Sequence, residues 1–233
     1  METKSEMSGK EKSALIRKMI IRFSLVPVFI GVCSLLPAGT FDYWQVYLYF
    51  SVVVIPMIFV LFYFLKRDPR FLERRTRGTE KFREQKLIQL INLPVFMAAF
   101  IIPGLDRRYG WSAVPVEVIL ITDAVILGGY LIIFLVFREN SYASRIVEVD
   151  QTQKVITTGL YSIVRHPMYL GVLIMYLPTP LALGSYYGLI PMAFLPVALV
   201  LRILNEEKVL MENLNGYVEY CEKTRYRLIP FIW

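Results

Sequence analysis

The stretch at residues 114–137 reads VPVEVILITDAVILGGYLIIFLVF, and only two of its 24 residues, Glu117 and Asp123, are charged. A helix of about 20 apolar residues is long enough to cross the hydrocarbon core of a bilayer. Three more stretches have the same character, and they lie at residues 19–36, 44–65 and 87–105. The sequence therefore predicts four transmembrane helices between residues 19 and 137.

Two shorter apolar runs follow a polar segment, at residues 168–183 and 187–204, with the turn-forming sequence GSYYG at 184–188. The runs contain Pro178, Pro180, Pro191 and Pro196. Membrane helices accept proline where neighbouring helices or a cavity satisfy the freed carbonyl groups. These runs form either two spans or one tight helical hairpin. The predicted fold is an all-α polytopic membrane bundle with five to six spans.

The composition agrees with a membrane protein. Hydrophobic residues make up 56% of the 233 and charged residues 19%, with a mean hydropathy of +0.50. A soluble domain has about 45–50% apolar and about 25% charged residues, so an ordinary soluble enzyme, a disordered chain and a disulfide scaffold are excluded. The single histidine, His166, also excludes metal sites that need two or three imidazoles. We expect no metal.

The net charge of +7 reflects topology. Of the 26 Lys and Arg residues, all but Arg22, Arg107 and Arg108 lie on one side of the predicted bundle. The positive-inside rule then places both termini in the cytoplasm, and no nucleic-acid partner is needed to explain the charge. A basic loop at residues 66–86 is a solvated juxtamembrane loop in the simpler interpretation and a binding site for anionic lipid headgroups in the other.

We therefore divide the chain into three parts: a cytoplasmic tail at residues 1–18, four transmembrane helices at 19–137, and a C-terminal core at 138–233. The first 18 residues are long and carry charges of both signs, unlike a signal peptide. Neither a Rossmann nor a P-loop glycine motif occurs.

The core carries a candidate site in the sequence VITTGLYSIVRHPMYLG at residues 155–171. Pro167 suits the first position of a helix, where its missing N–H group would be unpaired anyway. His166 would then be the N-cap, where backbone N–H groups favour a polar or anionic ligand. Alternatively, Arg165 and His166 are positive-inside flanking residues, and the nearby tyrosines belong to an interfacial belt.

A second candidate lies where the last apolar run ends, in RILNEE at residues 202–207. Arg202 and Glu206 are four residues apart and share one face of a helix. An arginine in the last apolar turn is costly unless it snorkels or has a partner. Arg202 either pairs with Glu206 or grips an acceptor carboxylate while Glu206 binds a cofactor, and the residues alone leave both possibilities open.

Four motifs, taken in order, resemble the isoprenylcysteine carboxyl methyltransferase family and, less closely, the phospholipid N-methyltransferases. The motifs are TGLY ending at Tyr161, RHPxYxG from Arg165, RxxxEExxL from Arg202, and YxxY from Tyr217 followed by RLIP at 227–230. The resemblance covers residues 146–233, a little over a third of the chain.

This resemblance implies an S-adenosylmethionine-dependent methyltransferase core with a C-terminal helical hairpin and a cytoplasm-facing cofactor pocket. It implies that Arg202 holds the substrate carboxylate. The implied cofactor-binding residues are Gln153, Lys154, Val155, Ile156, Tyr161, His166, Pro167, Met168, Tyr169 and Glu206. It assigns no role to Glu148, Glu207, Tyr217 or Tyr220.

The expected partners are a lipophilic or lipidated substrate and the membrane lipid, and Arg202 favours an acceptor with a carboxylate, such as an isoprenylcysteine-like compound. Three alternatives stay open: a phospholipid or other lipid N-methyltransferase, a membrane oxidoreductase that uses NADPH like the sterol reductases, and a non-catalytic scaffold or transporter. The sequence identifies neither the acceptor nor the oligomeric state.

Overall fold

The computed structural model describes residues 9–76, 83–143 and 153–233, apart from the side chains of Thr76, residues 83–89 and Ile91. All regular structure in these ranges is helical. The first part of the chain contains α1 (Gly9–Ala38), α2 (Trp44–Arg67), α3 (Pro69–Thr76), α4 (Arg83–Tyr109) and α5 (Val116–Glu139). The prediction of an all-α polytopic bundle is confirmed.

After α5, the described part of the chain contains a 3₁₀ turn (Gly159–Ser162) and then five helices. These are α6 (Pro167–Tyr176), α7 (Thr179–Ala182), α8 (Leu189–Met192), α9 (Leu195–Asn213) and α10 (Tyr217–Lys223). His166 is the N-cap of α6 and Pro167 lies in its first turn, as the sequence predicts.

Four helical stretches in the described ranges are long and apolar enough to cross a membrane: Gly9–Ala38, Trp44–Arg67, Val116–Glu139 and Leu189–Asn213. A shorter apolar stretch covers Pro167–Ala182. At about 1.5 Å per residue it is roughly 24 Å long, less than the hydrocarbon core of about 30 Å. The region at 168–204 is therefore a helical hairpin with one short and one long arm rather than two full spans.

The predicted span at residues 87–105 lies within α4, which packs against α1. Part of α4 has side chains outside the described residues, so its crossing of the membrane stays a prediction.

The short arm of the hairpin packs directly on α5 because two glycines face each other. A Cβ atom at Gly129 would lie 2.9 Å from the carbonyl oxygen of Gly171, whereas one at Gly128 would meet nothing within 4 Å. Small residues allow such close packing of membrane helices. This contact fixes the start of α6, and with it His166, relative to the end of α5.

Helices α2 and α5 terminate at the same end of the bundle, which we call the pocket end. The other end is tied together by Asp106, which is 1% exposed. Its carboxylate accepts hydrogen bonds from the Ser112 and Ser185 hydroxyls, each at 2.5 Å. Asp106 thereby connects the end of α4 to the turn of the hairpin.

Candidate functional site

The segment before α6 is held in place by the C-terminal tail. The Arg165 N–H group donates to the Tyr226 carbonyl at 2.9 Å, and the His166 N–H group donates to the Arg227 carbonyl at 2.8 Å. Farther back, the Tyr161 carbonyl accepts a hydrogen bond of 2.7 Å from the Tyr220 hydroxyl of α10. The segment is therefore fixed by backbone groups as well as by side chains.

Glu207 connects three parts of the core. Its side chain is buried, and Oε1 lies 2.9 Å from Arg165 Nε and 3.2 Å from His166 Nε2. Its Oε2 accepts a hydrogen bond of 2.8 Å from Arg227 Nε. A buried carboxylate persists only with such partners. Glu207 thus joins α9, the segment before α6 and the tail, and it holds the His166 imidazole.

Sequence reasoning assigned no role to Glu207. Neighbouring residues of a helix point about 100° apart, and Glu206 and Glu207 accordingly contact different partners. Nothing in the sequence indicates that His166 is a partner of Glu207, because the two residues are 41 positions apart.

Tyr169 lies between the two residues of the second candidate. Arg202 Nε donates to the Tyr169 hydroxyl at 2.8 Å, and that hydroxyl donates to Glu206 Oε2 at 2.5 Å. Tyr169 is only 6% exposed. A hydroxyl from α6 therefore bridges the arginine and the carboxylate of α9, an arrangement that neither interpretation of the sequence included.

These elements surround a pocket at the pocket end of the bundle, with about 850 Å³ of empty space, its open mouth included. All ten residues implied to bind the cofactor line it, and so does Arg202. Within the described ranges, no group of three His, Cys, Asp or Glu residues is placed to hold a metal ion.

The pocket has eight further lining residues: Asn140, Tyr142, Ala143, Arg165, Leu210, Leu214, Tyr217 and Tyr220. Helical spacing could have indicated two of them, since Leu210 and Leu214 follow Glu206 at intervals of four, Leu210 within α9 and Leu214 at its C-cap. The residues after α5 had no comparable signal. Glu148 lies outside the described residues.

Tyr161 is the wall residue that joins α5 to the 3₁₀ turn. Its hydroxyl accepts a hydrogen bond of 2.9 Å from Asn140 Nδ2. Burial raises the pKa of Tyr161 to about 12, against the opposing effect of the Asn140 hydrogen bond. The phenol therefore stays protonated at neutral pH and presents a neutral, polar group to the pocket.

The two tyrosines of α10 provide a matched pair of variants. The Tyr217 hydroxyl is buried with no hydrogen-bond partner in the described part of the chain, whereas the Tyr220 hydroxyl donates to Tyr161. We expect Tyr220→Phe to lower the free energy of unfolding by about 1 kcal/mol, and Tyr217→Phe to leave it unchanged or raise it. Melting temperatures of the two detergent-solubilised variants, measured side by side, test this. A larger loss for Tyr217→Phe than for Tyr220→Phe would contradict it.

Residues 118–216 match the family model described as phospholipid methyltransferase. The matched region begins in α5 and ends just before α10, so it contains Tyr169, Arg202 and Glu206. Over these residues the chain is similar to membrane methyltransferases. The matched family belongs to the group related to the isoprenylcysteine carboxyl methyltransferases, so the resemblance read from the sequence is confirmed at the level of that group.

The matched region supplies most of the pocket but not all of it. Tyr217 and Tyr220 lie beyond the matched region, and the tail that pairs with Arg165 and His166 lies farther still. The C-terminal residues therefore complete a site whose main part the family model covers.

Proposed function

We propose that this protein is a methyltransferase that transfers the methyl group of S-adenosylmethionine to the carboxylate of a lipophilic acceptor, such as an isoprenylcysteine-like compound. The observation that carries this proposal is the position of Arg202. It lines the pocket from a helix that is long and apolar enough to cross the membrane. A guanidinium binds a carboxylate through two parallel hydrogen bonds.

The chemistry of the pocket lining suits S-adenosylmethionine. Apolar and aromatic side chains, including Val155, Leu210 and Leu214, suit a nucleoside, while Glu206 offers a negative charge to a cationic ligand. Aromatic faces such as that of Tyr161 also attract cations. When bound, the cofactor supplies a methyl group attached to a positively charged sulfur. We assign the ten residues named from the family resemblance to its binding.

Methyl transfer requires the protein mainly to position the acceptor and the cofactor and to exclude water. A carboxylate acceptor has no proton to lose, so methyl transfer to it needs no general base. Arg202 orients the acceptor, and the Tyr169 hydroxyl holds both Arg202 and Glu206 in place. The Tyr169 ring itself is buried.

We place the pocket on the cytoplasmic side of the cell membrane. Cations are concentrated at the pocket end, where α2 ends in Lys66 and Arg67 and α3 ends in Arg74 and Arg75. The positive-inside rule associates such an end with the cytoplasm. In this orientation the polar cofactor arrives from the cytoplasm, while a lipophilic acceptor reaches Arg202 from the bilayer.

A second candidate acceptor is the amine of a phospholipid headgroup, because the matching family model is described as phospholipid methyltransferase. The two acceptors leave different products. A methyl ester is hydrolysed by base, whereas an N-methyl group is not.

The test is transfer of a tritiated methyl group from S-adenosylmethionine into membrane extracts, with the products separated by their stability to base. We expect base-labile label with the wild-type protein and much less with Glu206→Ala. Base-stable label in lipid would select the amine acceptor instead. No transfer, together with a melting temperature raised by NADPH but not by S-adenosylhomocysteine, would identify an oxidoreductase.

A further inference from the structure

We propose that Arg75 of α3, in the N-terminal half of the chain, is a positioning residue for the cofactor pocket. It acts by holding the turn at residues 140–143, which connects α5 to the rest of the pocket wall. This inference rests on the proposed function, because it concerns the same pocket.

Helix α3 is docked by two buried side chains. Phe71 and Leu72 are 1% and 3% exposed, and the ring of Phe71 lies 4.5 Å from that of Phe64 and 5.1 Å from that of Phe137. These rings belong to the ends of α2 and α5. The packing places the last turn of α3, and with it Arg75, beside the end of α5.

Arg75 makes two contacts there that suit a guanidinium. Its central carbon lies 4.3 Å from the centre of the Phe137 ring, and its Nη1 donates a hydrogen bond of 3.1 Å to the Ala143 carbonyl. A planar guanidinium stacks on an aromatic ring while its N–H groups reach outward. A lysine would keep the charge without this planar geometry.

The turn that Arg75 holds is one hydrogen-bonded unit. The Ala143 N–H group donates to the Asn140 carbonyl at 3.2 Å, and the Tyr142 N–H group donates to Asn140 Oδ1 at 2.9 Å. Asn140 Nδ2 then donates to the Tyr161 hydroxyl. The pocket lining includes Asn140, Tyr142, Ala143 and Tyr161. A contact that fixes Ala143 therefore also fixes Tyr161, through Asn140.

The proposal assigns part of the site to a helix outside the matched methyltransferase region, which starts at residue 118. The same segment supplies a matched control. Arg67 also lies over an aromatic ring, with its central carbon 5.9 Å from the centre of the Tyr63 ring. Its side chain is exposed at the end of α2, so Arg67→Gln removes a comparable cation from the same basic surface.

The experiment compares full-length wild type, Arg75→Gln, Arg75→Lys and Arg67→Gln in detergent. We expect Arg75→Gln to raise the Kd for S-adenosylhomocysteine and the KM for S-adenosylmethionine about fivefold to tenfold, the effect of losing one hydrogen bond and one ring contact. The kcat at saturating cofactor should stay within about twofold, since Arg75 does not touch the reacting groups. Arg75→Lys should show most of the rise in Kd, and Arg67→Gln none.

The outcomes separate this proposal from the proposed function. A wild-type protein that does not bind S-adenosylhomocysteine would overturn both. Normal binding by the wild type and an unchanged Kd for Arg75→Gln would overturn the positioning role alone, as would an equal rise for Arg67→Gln. If Arg75→Gln is too unstable to assay, Arg75→Lys decides, since wild-type affinity with lysine would also overturn the role.

Discussion

Glu207→Gln is expected to destabilise the core more than any other single substitution in the pocket region. The change leaves Arg165 and His166 buried without their negative partner, with side chains only 6% and 5% exposed. Removing one partner of a buried ion pair typically costs about 3–5 kcal/mol. Thermal unfolding of the detergent-solubilised protein measures this loss, and binding of S-adenosylhomocysteine should fall with it.

The adjacent carboxylate is the control for this experiment. Glu206 is only partly buried and faces the pocket through Tyr169. Glu206→Gln should therefore weaken cofactor binding while changing the melting temperature far less than Glu207→Gln. Equal melting temperatures for Glu207→Gln and the wild type would show that Arg165, His166 and Arg227 do not need the charge of Glu207.

Arg202→Ala is expected to lower kcat/KM for a carboxylate acceptor by about 10- to 100-fold. This is the rate equivalent of losing a hydrogen bond to a charged group, about 1.5–3 kcal/mol. Binding of S-adenosylhomocysteine should change much less, because we assign Arg202 to the acceptor. Methyl-transfer kinetics and cofactor titration on the same preparation measure the two effects separately.

Arg202→Lys sharpens this prediction. Lysine keeps the positive charge but presents a single ammonium group, which makes no bidentate contact with a carboxylate. We expect it to remain well below the wild-type rate. Wild-type kinetics for Arg202→Ala would remove Arg202 from the mechanism and favour an acceptor that has no carboxylate.

The sequence predicted the transmembrane helices well because a helix that crosses a membrane requires an apolar run of sufficient length. The ends of α2 and α5 fall within two residues of the predicted runs at 44–65 and 114–137. The sequence did not decide between a hairpin and two full spans at residues 168–204, because prolines and a turn sequence suit both a short arm and a complete span. The packing of the hairpin's short arm on α5 uses the contact between Gly129 and Gly171, which is a tertiary feature.

The site was predictable where several motifs occurred together in order. The resemblance carried by those motifs named eleven residues that the fold gathers around one pocket. It did not give the contacts that hold them. Arg75 reaches Ala143 across 68 residues of chain, and Glu207 reaches His166 across 41. In each pair the two residues are not neighbours on one helix, so spacing in the sequence does not indicate the contact. Each contact forms only when the helices pack together.

The Tyr169 hydroxyl has a thermodynamic consequence. One oxygen accepts a hydrogen bond from Arg202, which we assign to the acceptor, and donates one to Glu206, which we assign to the cofactor. Whatever moves one of these side chains changes the energy of the other, so the two ligands should bind cooperatively or antagonistically rather than independently. By linkage, the factor by which one alters the affinity of the other is the same in both directions.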